Sequence, residues 1–336
     1  MKIGLTYDLR DEVETDASQP DDALEEYDSV ETIRAIANVL EAEGHQVSWL
    51  GGGRGFLTNV MSQTIDFVFN ISEGLGSYRS REAQVPSVLE MLGIPYSGSD
   101  PQTLAICLDK PLTKKLVAAA GIVTPRWHEI KNRHDLSQID WSDFRYPAFI
   151  KPACEGSSKG IRFGSRVENA NQLTEQASRL LDSYRQPAIV EEYIAGEEIT
   201  VGVIGNDSPR VVGIMRVRPK QPNDSFVYSL EVKRNWEQMV EYECPAQLPP
   251  STLRAISEAS VRIFHVLGCR DFGRVDFRVT AEGEPYFLEI NPLPGLNPRS
   301  GDLPIIAQKM GWTYPQLIQA VMAAACQRQG IGNSAS

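Results

Sequence analysis

Between Gly273 and Gly295 the chain reads GRVDFRVTAEGEPYFLEINPLPG, and its polar residues are spaced as a metal site would need them. In Arg274 to Val279 the polar Arg274, Asp276 and Arg278 alternate with Val275, Phe277 and Val279, the period of a strand with one buried face and one chemical face. Glu289 and Asn291 share a parity in Tyr286 to Asn291. A hairpin with Ala281, Glu282, Gly283 and Glu284 as its loop pairs Thr280 with Pro285, sets Asp276 opposite Glu289 and sets Arg274 opposite Asn291. Opposed Cβ atoms lie only ~5 Å apart, so two carboxylates there repel unless a cation stands between them. Asp, Glu and an Asn amide oxygen are hard ligands of the kind Mg²⁺ prefers. The same spacing also suits a solvent-exposed hairpin.

Other stretches supply complementary chemistry. Lys151 ends an apolar strand in RYPAFIKP, and the following EGSSKG, Glu155 to Gly160, offers small residues and backbone N–H groups able to close over phosphates. It is not the GxxxxGK[ST] phosphate loop. In AIVEEYIAGEEITVGVIG two strands are broken at Ala195 and Gly196, with Glu191, Glu192, Glu197 and Glu198 around the break, where acids can take nucleotide hydroxyls and amines or lie on an edge strand. Asn70, Glu73 and Gly74 follow a strand directly, where open α/β sheets place ligands; a plain turn is the alternative.

The elements that must position these residues follow from pattern. Strands at LTYD, HQVSWL and IDFVFN and a helix from Ser29 to Glu43, closed by Gly44, predict a small open α/β sheet. Helical spacing recurs at Glu82 to Leu92, Thr103 to Ala120 and Tyr314 to Gln327. The polar segment 217–244, with Pro219, Pro222 and Lys233, reads as an irregular mobile loop, and the final GNSAS as a disordered tail. The expected division is an N-terminal α/β unit (1–105), a central unit with the Gly/Ser lid (106–190), a C-terminal unit with the metal and substrate residues (191–330) and a tail (331–336).

With 336 residues, 42% hydrophobic and 23% charged, the composition is that of a globular protein with two or three domains. No apolar run approaches the ~20 residues of a membrane span, and the start lacks a secretory pattern, so cytoplasmic residence is the expectation. Five scattered cysteines without a CxxC pair suggest neither disulfides nor zinc. Residues 1–28 hold ten acids against Lys2 and Arg10, a net −8 of the chain's −11, which argues against nucleic acid as a partner. That segment reads either as a flap for a cationic amino group or as a solvated loop.

Lysine at a strand end, Gly/Ser lid, acids at a strand bend and a hairpin ending in ExN occur in the order of the ATP-grasp superfamily. More narrowly, LGIPYSGSD, LDKPLTKKLVAAAGIVTP, YPAFIKPACEGSSKGI, EEYIAGEEITVGVIGN, GRVDF and LEINPLPGLNPRS resemble the D-alanine:D-alanine ligase family over nearly the whole chain. The resemblance implies an α/β fold with two ATP-grasp subdomains enclosing the nucleotide, and ATP with two Mg²⁺ ions (or Mn²⁺). It implies small amino-acid substrates, no membrane or nucleic-acid partner, and a homodimer. By that resemblance Lys110 and Lys151 hold ATP phosphates, Lys233 is a further cofactor-binding lysine on the mobile loop, Glu191 faces the adenine amine and Glu198 the ribose. Asp276, Glu289 and Asn291 are the metal ligands. Arg274, with backbone N–H groups near Gly295, steadies the acyl phosphate and oxyanion. Ser157 lies near the amino acids, and Ser300 takes the second substrate's carboxylate.

Three departures stand out. The family's acidic, Ser-containing motif after the first strand reads YDLRDEVETD here. A mobile-loop tyrosine is replaced by Arg234, which brings a fixed charge. NISEGLGSYRSREAQ replaces the His-Gly segment and adds Arg79 and Arg81 near Glu73. Arginines facing the first-substrate pocket would favour a more acidic carboxylate donor; pairing with the acidic segment is the alternative. Amide ligation with a different donor, or phosphoryl transfer alone, are the rival activities.

Overall fold

The computed structural model describes residues 1–13, 19–221 and 226–331. Glu14 and Asp16 of the acidic segment, Pro222 and the tail from 332 onward lie outside them. The described chain forms three sheets. In the first, β1 (Lys2–Thr6), β2 (Gln46–Trp49) and β3 (Phe67–Asn70) run parallel in the order β2-β1-β3. The second is antiparallel, with β4 (Trp127–Ile130), β5 (Ala148–Pro152), β6 (Arg166–Val167) and β7 (Ala188–Glu192) in the order β4-β7-β5-β6. β8 (Glu197–Ile204), β9 (Arg210–Pro219), β10 (Val240–Glu243), β11 (Phe272–Val279) and β12 (Pro285–Asn291) build the third, ordered β10-β9-β8-β11-β12.

Local chemistry accounts for the elements that matter to the site. Ser29 accepts a hydrogen bond from the Thr32 N–H and starts the helix Val30–Ala42, whose Ile33, Ile36, Ala37 and Leu40 are buried on one face. That face shares one apolar cluster with β1, β3 and the helix Tyr314–Arg328, so the N-terminal sheet packs on the C-terminal part of the chain. The helix Ala170–Tyr184 covers the second sheet through Leu173, Ala177 and Leu180, and the helix Pro250–Val266 covers β8 and β11 through Ile256, Ile263 and Phe264. Between β7 and β8 the chain turns at Gly196, φ 151°, where an added Cβ would meet the Val279 carbonyl oxygen at 2.0 Å.

Several expectations change. The helical segment 103–120 is two helices, Pro101–Leu108 and Lys110–Ala119, broken at Asp109, whose side chain caps the second by accepting from Leu112 N–H. The segment 217–244 is not an irregular loop: its described part holds the end of β9, the helices Leu230–Arg234 and Trp236–Met239, and β10. The unit boundary drawn at 190 falls inside β7.

The hairpin correction concerns the turn. Arg274 faces Asn291 and Asp276 faces Glu289, as the alternation predicts, but the register then shifts and Val279, not Thr280, pairs with Pro285. The cause is a bulge at Leu288: Phe277 pairs with Phe287, and both rings are buried edge to face at 6.3 Å. Without the extra residue Phe287 would share the face of Glu289. With it, Leu288 and Glu289 both line the site while Phe287 stays in the core.

Candidate active site

The fourteen residues singled out in sequence line two adjoining cavities. Lys151, Glu191, Glu198 and Asp276 line a narrow one between the second and third sheets. A larger one of about 450 Å³ is bordered by Glu73, Lys110, Ser157, Arg234, Asn291, Gly295 and Ser300. Lys233, Arg274 and Glu289 belong to both, together with Tyr228 and Asp302. The shared wall is where a group bound in one cavity would meet a group bound in the other.

Charge in the narrow cavity is cross-paired. Glu191 on β7 is fully enclosed, 2.6 Å from the Lys114 ammonium and 3.2 Å from that of Lys151. Burial works to raise its pKa, but the two lysines overcome this and hold it below the usual range. Burial lowers the Lys114 ammonium to about 8. Lys114 lies one helical turn from Lys110 on the capped helix, so one element presents both. Glu289 sits 3.6 Å from the Lys110 ammonium and 3.5 Å from Lys151; against burial, these cations and Arg274 hold it far below a normal carboxyl. Lys110 also donates to the Glu155 carbonyl.

Arg274 is clamped between two acids, 2.9 Å from Asp276 and 3.0 Å from Asp302. Asn291 Nδ2 lies 3.3 Å from the same Asp276 oxygen. Asp302, in the first turn of the helix Asp302–Lys309, had no signal in the sequence because only the fold brings that helix to β11. Arg278 did have one, as the third polar residue of the alternation. Its guanidinium bonds Glu198 at 2.8 Å, donates to the Gly196 and Phe226 carbonyls and lies over the Tyr193 ring.

Around the larger cavity Asp22 and Glu26 of the acidic segment are tied down, while Asp11, Glu12 and Asp21 stay exposed. Glu26 bonds Arg81 at 2.6 Å and Lys159 at 3.1 Å and accepts from the Gly156 N–H; Asp22 accepts from the Gly160 N–H and the Tyr184 hydroxyl. The lid N–H groups thus meet carboxylates of this chain. Ser157, at the lid tip, holds a left-handed conformation, φ 48°. Arg234 pairs with Glu25 at 2.6 Å and Asp21 at 3.4 Å. Arg79 is exposed beside Asp109, and Arg81 is 2% exposed, bound to Glu26 and Glu155. The arginines expected to welcome an acidic donor are therefore matched by acids of the chain, which removes that argument.

Glu73 stands between Ser72 and Gly74, whose hydroxyl and N–H both bond the buried Asp8 carboxylate at 2.5 and 2.8 Å. Burial and the neighbouring Glu82, Glu26 and Asp28 raise the Glu73 pKa well above normal.

The second sheet with Lys151 and Glu191 and the third with its Asp276, Glu289 and Asn291 hairpin line the site, and the matches that follow make this an ATP-grasp protein. The profile described as D-ala D-ala ligase C-terminus matches residues 116–323. The chain is 34% identical to the D-alanine–D-alanine ligase of Aquifex aeolicus over 88% of this chain and 94% of that one. It is 30% identical to an uncharacterized protein, y4sG, of Sinorhizobium fredii over 89% and 88%. Its fold matches the crystal structure of D-alanine–D-alanine ligase from Bacillus anthracis complexed with ATP, with a TM-score of 0.75, 23% identity and coverage of 98% and 99%. The VanG D-Ala:D-Ser ligase of Enterococcus faecalis gives a TM-score of 0.73 at 22% identity, covering 96% and 99%. The chain belongs to the D-alanine:D-alanine ligase family.

Proposed function

We infer that the protein is an ATP- and Mg²⁺-dependent carboxylate–amine ligase that forms a dipeptide through an acyl phosphate, with D-alanine:D-alanine ligation as its activity. The observation that carries this is the wall of Lys233, Arg274 and Glu289 shared by the two cavities, which brings two cations to one junction, as a phosphate and an adjoining oxyanion would need. Family membership supports it.

In this reading Lys110, Lys151 and Lys233 hold phosphate oxygens and Glu191 and Glu198 the nucleoside. Glu289 releases its lysines to the incoming phosphates. A carboxylate attacks the γ-phosphate in line, which breaks the β,γ-bond, releases ADP and leaves the acyl phosphate; the amine of the second amino acid, having given up a proton, then attacks the acyl carbonyl, and the tetrahedral intermediate collapses to the amide with release of inorganic phosphate. Arg274 offsets the oxyanion charge, aided by N–H groups near Gly295, while Ser300 orients the acceptor's carboxylate. Ser157 and the lid exclude water. Among the described residues no three His, Cys, Asp or Glu cluster as a metal cage. Two carboxylates and an amide at opposed hairpin positions nonetheless suit Mg²⁺, a hard cation that takes oxygen ligands. When bound, the metal neutralises phosphate charge; Asp276, Glu289 and Asn291 would hold it.

Among the described residues no helix is long and apolar enough to cross a membrane, in keeping with a cytoplasmic enzyme of small molecules. The exposed Met61 and Met91 are apolar surface that a second copy would cover in a homodimer. Phosphate release with ATP, Mg²⁺ and D-alanine, with mass spectrometry of the product, tests the reading. D-Ala-D-Ala is the expected product; an acid-stable phosphorylated amino acid would replace ligation with phosphoryl transfer.

A further inference from the structure

No step above uses Arg278, although it borders the narrow cavity and is only 6% exposed. All three of its guanidinium nitrogens are engaged, each by a different stretch of chain. Nε meets Glu198 on β8 at 2.8 Å, Nη1 donates to the Gly196 carbonyl between β7 and β8 at 2.8 Å, and Nη2 donates to the Phe226 carbonyl at 2.6 Å. The Tyr193 ring lies against the guanidinium at 5.3 Å, and its hydroxyl donates to the same Phe226 carbonyl at 3.1 Å. Phe226 opens a segment that returns to the cavity: Val227, Tyr228 and Lys233 line it, and Lys233 belongs to the shared wall. That segment is also fastened to the Gly/Ser lid, where the Leu230 N–H donates to the Ile161 carbonyl at 3.0 Å and the Ser158 hydroxyl to the Tyr228 carbonyl at 3.4 Å. One planar fork therefore holds both the acid expected to take the ribose and the start of the segment that brings a cation to the junction. A buried charge adds little stability that an apolar side chain of similar volume would not, so the fold alone does not call for an arginine here.

We propose that Arg278 is a positioning residue that couples the nucleotide's ribose, at Glu198, to the placement of the 226–234 segment and hence of Lys233. This rests on the ligase reading above and adds a residue to it. A ribose hydroxyl donating to Glu198 fixes that carboxylate where it faces the Arg278 fork. The fork in turn fixes the Phe226 carbonyl, and the segment that follows carries Lys233 in the helix Leu230–Arg234. Ribose binding and segment placement then favour each other by the same free energy. Lysine at this position keeps a charge beside Glu198 but offers a compact point charge on a flexible stem, so it does not hold Glu198 and Phe226 in one rigid plane.

The test is a cycle of one substitution and one substrate change in the full-length protein: phosphate release with D-alanine, Mg²⁺ and saturating ATP or dideoxy-ATP, which lacks both ribose hydroxyls, in the wild type and in Arg278→Lys. In the wild type, loss of the hydroxyls should lower kcat roughly tenfold, the scale of one charge-assisted hydrogen bond. The variant should start roughly tenfold lower with ATP and lose nothing further with dideoxy-ATP. A residue that only held the ribose would move KM for ATP and leave kcat alone, and one that only supported the fold would leave the two losses additive. Tyr193→Phe removes one of the two donors to the Phe226 carbonyl and keeps the ring; it serves where the lysine variant does not fold, and should shrink the wild-type ratio. A wild-type kcat ratio near one, or the same ratio in both variants, overturns the proposal and leaves ligation standing. If no phosphate is released with any nucleotide, the ligase reading fails instead. Hydrogen exchange of the 226–234 amides then decides separately: slower exchange with ATP than with dideoxy-ATP upholds the coupling, and equal exchange overturns it.

Discussion

Two parts of the site treat charge in opposite ways. In one, Lys114 and Lys151 share Glu191, Glu289 holds Lys110 and Lys151, and Asp276 and Asp302 clamp Arg274. In the other, Asp28, Glu73 and Glu82 line the larger cavity without an ion pair among the described residues. The first uses its own carboxylates as counter-ions, so in the proposed reading a polyanion would enter by exchange. The second leaves a deficit that only a ligand or a proton fills. Shared chemistry is thus preformed, and what distinguishes one substrate from another is left open.

The contrast can be broken from either side. Replacing Arg274 by Met should have the largest effect, because it removes the proposed oxyanion partner and strands Asp276 and Asp302; kcat should fall about 10²- to 10³-fold in steady-state phosphate release. A fall of less than tenfold would show that the shared wall is not where chemistry occurs. Lys114→Met leaves Glu191 with Lys151 alone, and urea unfolding should register a loss of about 3 kcal/mol, the scale of breaking a buried pair. An unchanged midpoint would mean that Lys151 suffices.

Glu82→Gln tests the other side through pH. The Glu82 carboxyl is raised from 4.5 to about 7 on folding, chiefly by burial. The folded state therefore binds the proton more tightly, and wild-type stability falls as pH rises from about 4.5 to about 7, then levels off. The amide lacks this penalty, so the variant should gain about 2 kcal/mol on the wild type at pH 8 relative to pH 5, read as the difference between two melting series. Parallel series would show that Glu82 is compensated after all. Arg234→Tyr should matter least: its pairs with Glu25 and Asp21 involve a 39% exposed arginine, so unfolding should change by about 1 kcal/mol or less. A larger shift would make that pair part of the site's framework.

Legibility in the sequence divides along the same line. Phosphate-side residues sit in short motifs, and Asp276 and Glu289 were readable because a two-residue period survives on the half of the hairpin nearest the chemistry. The turn was misread because a bulge leaves no mark in composition; it exists so that Phe287 can reach the core. The stretch 217–244 looked irregular because its prolines and charges conceal the end of β9, two helices of four and five residues and the short β10, each too brief to show a period. Arg81 could not be read as buried, since its partners Glu26 and Glu155 lie 55 and 74 positions away. The three uncompensated acids were invisible for the same reason: the absence of a partner is a property of the assembled cavity.

The bulge at Leu288 also separates two tasks within one hairpin. Pairing on the side of Asp276 and Glu289 runs at one offset and pairing on the side of the turn at another, so the loop does not dictate where the carboxylates sit. A tag or short insertion at Glu282–Gly283 is therefore expected to be absorbed at the tip. One residue deleted at Leu288 would instead rotate every side chain on one flank of it to the opposite face, making this single position the frame marker of the active site.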